Sequence, residues 1–292
     1  MMRYAVRHRT RFRYDSPVGF ARCNLRLHPT AWEGQRLEHH ALAIVPDATL
    51  TPGRPSGYPV ETTRAVLDRP ASELVVESHA RIVVDRVAAL ALPDDEPVAE
   101  VAEQARASRE FGPGAPANYL YPSPLIAAWP AIAAWCAAEL RPDRGAVEAG
   151  LALARAIQAG FRYDGSATEL DTSPAEAFAK KSGVCQDFAQ IMISGARSAG
   201  MAAAYVSGYL RTIPPPGRER LVGADATHAW VLLWCGARGW IGFDPTNGVT
   251  MGADHIVTAI GRDYGDVAPI DGIFLGREGQ RIEVEVDVEP LY

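Results

Sequence analysis

The segment THAWVLLWCGARGWIGFD, residues 227–244, reads as two apolar strands joined by a short glycine-containing turn. Its register decides what the fold can bring together. If Gly236, Ala237 and Arg238 form a three-residue loop, Cys235 pairs with Gly239 and Trp230 with Asp244. Asp244 then lies on the same face as His228, one diagonal neighbour away. A loop of two or four residues sends the two side chains to opposite faces. The apolar pattern favours the first register, since Trp230, Leu232, Trp234 and Trp240 then share a face. Read alone, His228 is equally a hydrogen-bonded strand end, and Asp244 a turn acceptor before Pro245.

Upstream, AAAYVSGYLRTI (202–213) reads as a further strand and PPPGRER (214–220) as a polar loop. Before them, SGVCQDFAQIM (182–192) begins a helix expected from about Val184 to Ala199, closed by Gly200. Cys185, Phe188, Ala189, Met192, Ile193 and Ala196 form its apolar stripe, with Asp187, Gln190 and Arg197 off it. A shorter helix is expected from Pro174 to near Gly183, with Ser173 as N-cap and Glu176 completing a capping box. Cys185 therefore stands at a helix head. There the helix field and a nearby imidazolium can lower a cysteine pKa from about 8.5 to about 3.5–7.5. Its own N–H is among the unpaired donors of the first turn and can face an oxyanion. A lone cysteine is also a common core residue, so partners elsewhere must decide.

The 292 residues are 48% hydrophobic and 22% charged with a net charge of -6, an ordinary globular composition. Without a long basic run, a nucleic-acid or polybasic membrane partner is not expected. No stretch has the length of a signal peptide or a membrane span, so a cytoplasmic protein is expected. Cys23, Cys136, Cys185 and Cys235 are scattered, which argues against structural zinc, dithiol chemistry and disulfides. From Arg3 to about Asp85 short alternating runs predict an antiparallel β-sandwich; a boundary near residue 92 is placed at LALPDDEPVAE. The expected organisation is a β domain over 1–92 and a second domain over 93–292. The latter comprises a helical lead-in (93–160), a core (161–250) and C-terminal strands (251–292). Cys136 shares a helical stripe with Trp129 and Ile132 and is expected to fill the core. Of His8, His28, His39, His40, His79 and His255, most are expected to be ordinary surface or hydrogen-bonded residues.

SGVCQDFA, YVSGYL, THAW and GWIGFDPTNG together resemble the transglutaminase-like superfamily, in its Cys, His, Asp order. RHRTRFRYDSPV, LRLHP and AIGRDYGDVAPIDGIF extend the resemblance to bacterial members that carry an additional N-terminal β domain. The implied fold is α+β: an N-terminal antiparallel sandwich, then a papain/transglutaminase-like core whose Cys-bearing helix packs on an antiparallel sheet bearing His and Asp. The implied roles are Cys185 as nucleophile, His228 as base and Asp244 as its orienting group. The implied reaction is acyl transfer through a thioester on a peptide or protein amide. Hydrolysis is favoured, because bacterial members are often proteolytic or unassigned; transamidation is the alternative. A silent binding module of the same fold is a third reading, and a zinc site on the same three residues a fourth. No cofactor or metal is implied, and no acidic loop supports calcium. Gln190, Ala204 and Leu232 depart from the family pattern and are expected to bear on substrate choice. Tyr163 is a candidate second oxyanion donor.

Overall fold

A computed structural model describes residues 1–90, 94–168, 172–212, 226–276 and 279–291. The expected loop at 214–220 and the boundary near residue 92 lie outside those residues. Six strands come first: β1 (Met2–Val18), β2 (Phe20–Leu25), β3 (Gln35–Val45), β4 (Thr49–Pro52), β5 (Thr63–Leu67) and β6 (Ala71–Val84). Then come α1 (Val98–Ala107), α2 (Pro130–Cys136), α3 (Ala146–Gly160), β7 (Arg162–Tyr163), α4 (Pro174–Lys180), β8 (Ser182–Gly183) and α5 (Cys185–Ser198). The chain continues through β9 (Ala203–Leu210), β10 (Ala226–Trp234), β11 (Trp240–Asp244), β12 (Val249–Thr250) and β13 (His255–Gly261). It closes with α6 (Tyr264–Val267), β14 (Ile270–Leu275) and β15 (Gln280–Leu291).

The even positions of β1, from Tyr4 to Tyr14, are all buried. Phe12 and Tyr14 pack between two four-stranded sheets, ordered β15-β1-β6-β3 and β14-β2-β5-β4. This is the expected sandwich, with one difference. The C-terminal strands pair with the N-terminal ones: β15 with β1, β14 with β2. The physical reason is charge and apolar complementarity across the ladder. Arg7, Arg9 and Arg11 stand opposite Asp287, Glu285 and Glu283, while Val286 and Val288 continue the β1 face that carries Tyr4 and Val6.

Nearer the start of β1, Tyr4 and Val6 pack on Tyr209 and Ile256, so the same sheet also covers part of a five-stranded sheet. That five-stranded sheet has the order β12-β11-β10-β9-β13. His8 lies buried in this junction, bonded to the Tyr209 hydroxyl at 3.0 Å and to Thr10 Oγ1 at 3.0 Å. Burial pushes its pKa down to about 4, so it is a satisfied neutral residue.

Helix α5 lies against one face of the five-stranded sheet, where Phe188, Met192 and Ile193 join Ala229, Val231 and Leu233 in one core. Trp230, Leu232 and Trp240 form the opposite core with Tyr119 and Met251. Contrary to a simple amphipathic reading, α5 is buried from Gln186 through Arg197. Arg197 is accommodated by donating to the carbonyls of Tyr119, Ala203 and Arg262. Trp129 caps α2 instead of extending it. Cys136 is fully buried, as expected, and meets α5 at Gly195. A methyl group at Gly195 would overlap the Cys136 side chain.

Gly195→Ala is therefore expected to destabilise the fold by about 1 kcal/mol net, because overpacking of about 1–3 kcal/mol outweighs a helix-propensity gain of up to about 1 kcal/mol. Urea unfolding checks this; an unchanged or raised midpoint would contradict the packing.

Candidate active site

The hairpin register is the expected one. Trp234 pairs with Trp240 and Leu232 with Gly242, and the Cys235 N–H donates to the Gly239 carbonyl at 2.8 Å across a turn of Gly236–Arg238. Gly236 and Gly239 supply the positive φ values of 62° and 67° that this turn requires. His228 and Asp244 consequently meet: His228 Nε2 lies 2.8 Å from Asp244 Oδ2. The His228 ring stacks on Trp230, and Trp230 itself fits because Gly208, opposite His228 on β9, has no side chain to block it.

Asp244 is fully buried and surrounded by donors. The backbone N–H groups of Thr246 and Asn247 bond Oδ1 at 2.9 and 3.1 Å. Asn247 Nδ2 bonds Oδ2 at 2.6 Å, and His255 Nε2 lies 3.3 Å from the same oxygen. Burial works against ionisation, yet the hydrogen bonds from His228, His255 and Asn247 outweigh it and hold the carboxyl far below its ordinary range. At His228 burial likewise opposes charge, but hydrogen bonds to Asp244 and Cys185 prevail and push its pKa up to about 10. With Nε2 committed to Asp244, Nδ1 is the ring nitrogen left to face Cys185.

Cys185 is the first residue of α5 and half-buried, whereas Cys23, Cys136 and Cys235 are buried. Burial pushes Cys23 up to about 11 and Cys136 up to about 12, and raises Cys235 as well, which leaves those thiols inert. The approach to Cys185 is fixed on both sides. Strand β8 pairs with β7, and Asp187 folds back over Gly183 to accept the Val184 N–H at 2.8 Å and the Thr168 hydroxyl at 2.7 Å. A side chain at Gly183 would collide with that carboxylate.

The body of α5 packs on the sheet face opposite to Trp230. Tyr163 stands beside Cys185, edge-on to Phe188, with 59% of its surface exposed. The phenols of Tyr163, Tyr205 and Tyr264 are all raised, chiefly by burial, with the charge of Cys185 contributing to each. Gln190, Ala204 and Leu232, expected to bear on substrate, are buried; Ala204 and Leu232 pack in the core behind Trp230.

Sequence reasoning missed His255, Asn247 and Asp187. Asn247 carried a signal, since DPTNG reads as an Asx-type turn. His255 carried none, being brought to Asp244 from the far side of the sheet.

A model described as Bacterial transglutaminase-like N-terminal region matches residues 4–83, and one described as Transglutaminase-like superfamily matches residues 134–245. Uncharacterized proteins of Mycobacterium tuberculosis and Mycobacterium bovis are 35% identical over 99% of this chain and 93% of their own lengths. A protein-glutamine gamma-glutamyltransferase of Pseudomonas aeruginosa is 37% identical over 27% of this chain and 12% of its own. A solved structure from Cytophaga hutchinsonii, described provisionally as a cysteine protease, shares the fold with a TM-score of 0.74 at 19% identity. That match covers 98% of this chain and 90% of the other.

Folding raises the proton affinity of His228 and lowers that of Asp244. A raised imidazole pKa contributes stability fully below its ordinary 6.5 and loses it as pH rises through about 10. A depressed carboxyl contributes above its ordinary 3.8 and loses it as pH falls below that range. The pair is thus worth most between those two ordinary values. The melting-temperature gap between the wild type and Asp244→Asn is expected to be wider at about pH 5.5 than at about pH 10.5. Equal gaps in thermal denaturation would contradict the ion pair.

Proposed function

The chain belongs to the transglutaminase-like superfamily, and from that premise we propose that it is a cysteine-dependent enzyme that hydrolyses amide bonds of peptides or proteins, with Cys185, His228 and Asp244 as its catalytic groups. The observation that carries this reading is the His228 ring, hydrogen-bonded to Asp244 on one side and to Cys185 on the other.

The steps follow from that arrangement. The proton of the Cys185 thiol resides on His228, whose pKa is pushed up to about 10, and the sulfur attacks the amide carbonyl carbon. The carbonyl oxygen becomes an oxyanion at the head of α5, where the Cys185 N–H belongs to the unpaired first turn. His228 returns the proton to the leaving nitrogen as the C–N bond breaks, leaving a thioester and a free amine or ammonia. Water then loses a proton to His228 and attacks the thioester, and the proton passes to the departing sulfur. The products are the restored thiol and a carboxylic acid, which ionises by giving its proton to solvent. Asp244 keeps Nε2 protonated and so keeps Nδ1 turned to the sulfur.

The openness of Tyr163 beside Cys185 supports water as the acceptor. The short match to a protein-glutamine gamma-glutamyltransferase supports an amine acceptor instead, and one experiment separates the two. We propose a cytoplasmic setting, a compartment in which a free thiol such as Cys185 would stay reduced.

Incubation with a peptide library, with and without a primary amine, is read by mass spectrometry. Cleavage or deamidation is the expected outcome, amine incorporation indicates transamidation, and no change under any condition indicates a silent module. Cys185→Ala is expected to abolish turnover with little change in melting temperature. Asp244→Asn should lose about 10⁴-fold in kcat by favouring the wrong tautomer. Turnover by Cys185→Ala within tenfold of the wild type would overturn the assignment.

A further inference from the structure

We propose that His255 is a positioning residue for Asp244: it holds the carboxylate, and through it the His228 ring, in register with Cys185. This rests on the catalytic reading given above and extends it to a residue outside the 134–245 match.

The His255 ring is fixed from every side. The Gly252 N–H donates to its Nδ1 at 3.2 Å, which leaves the ring proton on Nε2, directed at Asp244 Oδ2 at 3.3 Å. Its side chain is only 6% exposed, and the Trp230 indole packs edge-on against it with centroids 5.3 Å apart. Two imidazoles therefore converge on one carboxylate oxygen. On the catalytic reading His228 is the partner that exchanges protons, and His255 is the one whose second nitrogen is held by backbone.

The backbone beneath His255 is held by the N-terminal sandwich. Arg86 Nη1 donates to the His255 carbonyl at 3.0 Å. Gln35 grips the next turn of strand from both ends, its Nε2 donating to the Val257 carbonyl at 2.7 Å and its Oε1 accepting the Val257 N–H at 2.8 Å. Asp254, just before His255, accepts from the Tyr4 hydroxyl at 2.9 Å and pairs with Arg211 at 3.4 Å. Strand β13 thus has β9 on its inner edge and the sandwich on its outer edge. A small shift of a carboxylate that orients a base can slow a reaction by about 10²-fold, so such bracing bears directly on rate.

Three variants test the assignment: His255→Leu removes the donor, His255→Gln can offer its amide nitrogen to Asp244, and His255→Asn is polar but too short to reach. The first readout is the rate of iodoacetamide alkylation of Cys185 at about pH 6, per folded molecule. The second is the NMR titration of the His228 ring. His255→Leu and His255→Asn are expected to slow alkylation by at least about tenfold and to move the His228 titration, while His255→Gln stays within about threefold of the wild type. A purely structural His255 would lower the melting temperature in all three variants and leave both readouts unchanged, which overturns the proposal. If Cys185 of the wild type shows no selective alkylation, the catalytic reading fails. The His228 titration still decides whether His255 governs the pair.

Discussion

The structure turns on one buried carboxylate. Asp244 has no exposed surface, and its charge is sustained by two backbone N–H groups, one amide and two imidazoles. An unpaired carboxylate in such a place would neutralise by taking up a proton, so each donor is a condition for the charge. The charge in turn holds the proton on His228, and His228 addresses Cys185. Glycines at 208, 236 and 239 exist in service of that arrangement, two by turning the hairpin and one by clearing room for Trp230.

The N-terminal sandwich belongs to the same construction. Its first strand contributes Tyr4 and Val6 to a core shared with Tyr209 and Ile256, and Gln35 of β3 and Arg86 beyond β6 bind the outer edge of β13. The last two strands of the chain then return to complete both sheets of the sandwich. Chain order and spatial order therefore differ: the site is laid between two passes of the chain through one β unit.

Much of this was legible in the sequence. The hairpin parity could be read because tryptophans and leucines of period two admit one register when a face must be buried. The helix starts were equally clear, with Ser173 and Glu176 forming the capping box, and Gly200 marked the stop of α5; α4, however, ends at Lys180 and not near Gly183, because Lys181 turns into the left-handed region and Ser182–Gly183 pair with β7. What escaped was non-local. The RHRTRFR run of β1 and the EVEVDVE run of β15 are complementary, arginine to acid, yet they lie at opposite ends of the chain, and no local pattern says that they pair. His255 escaped for the same reason, since strand order placed it beside Asp244. Arg197 and Asp187 looked like solvent-facing residues because helical periodicity cannot show that buried carbonyls or a neighbouring N–H await them.

The central claim is that the His228–Asp244 pair activates Cys185 to form a thioester. Acid-quenching the protein during incubation with a glutamine-containing peptide, followed by digestion and mass spectrometry, tests it most directly. The account predicts an acyl adduct on the fragment bearing Cys185, absent from His228→Ala. An adduct on Cys23, Cys136 or Cys235, or undiminished labelling of Cys185 in His228→Ala, would contradict it.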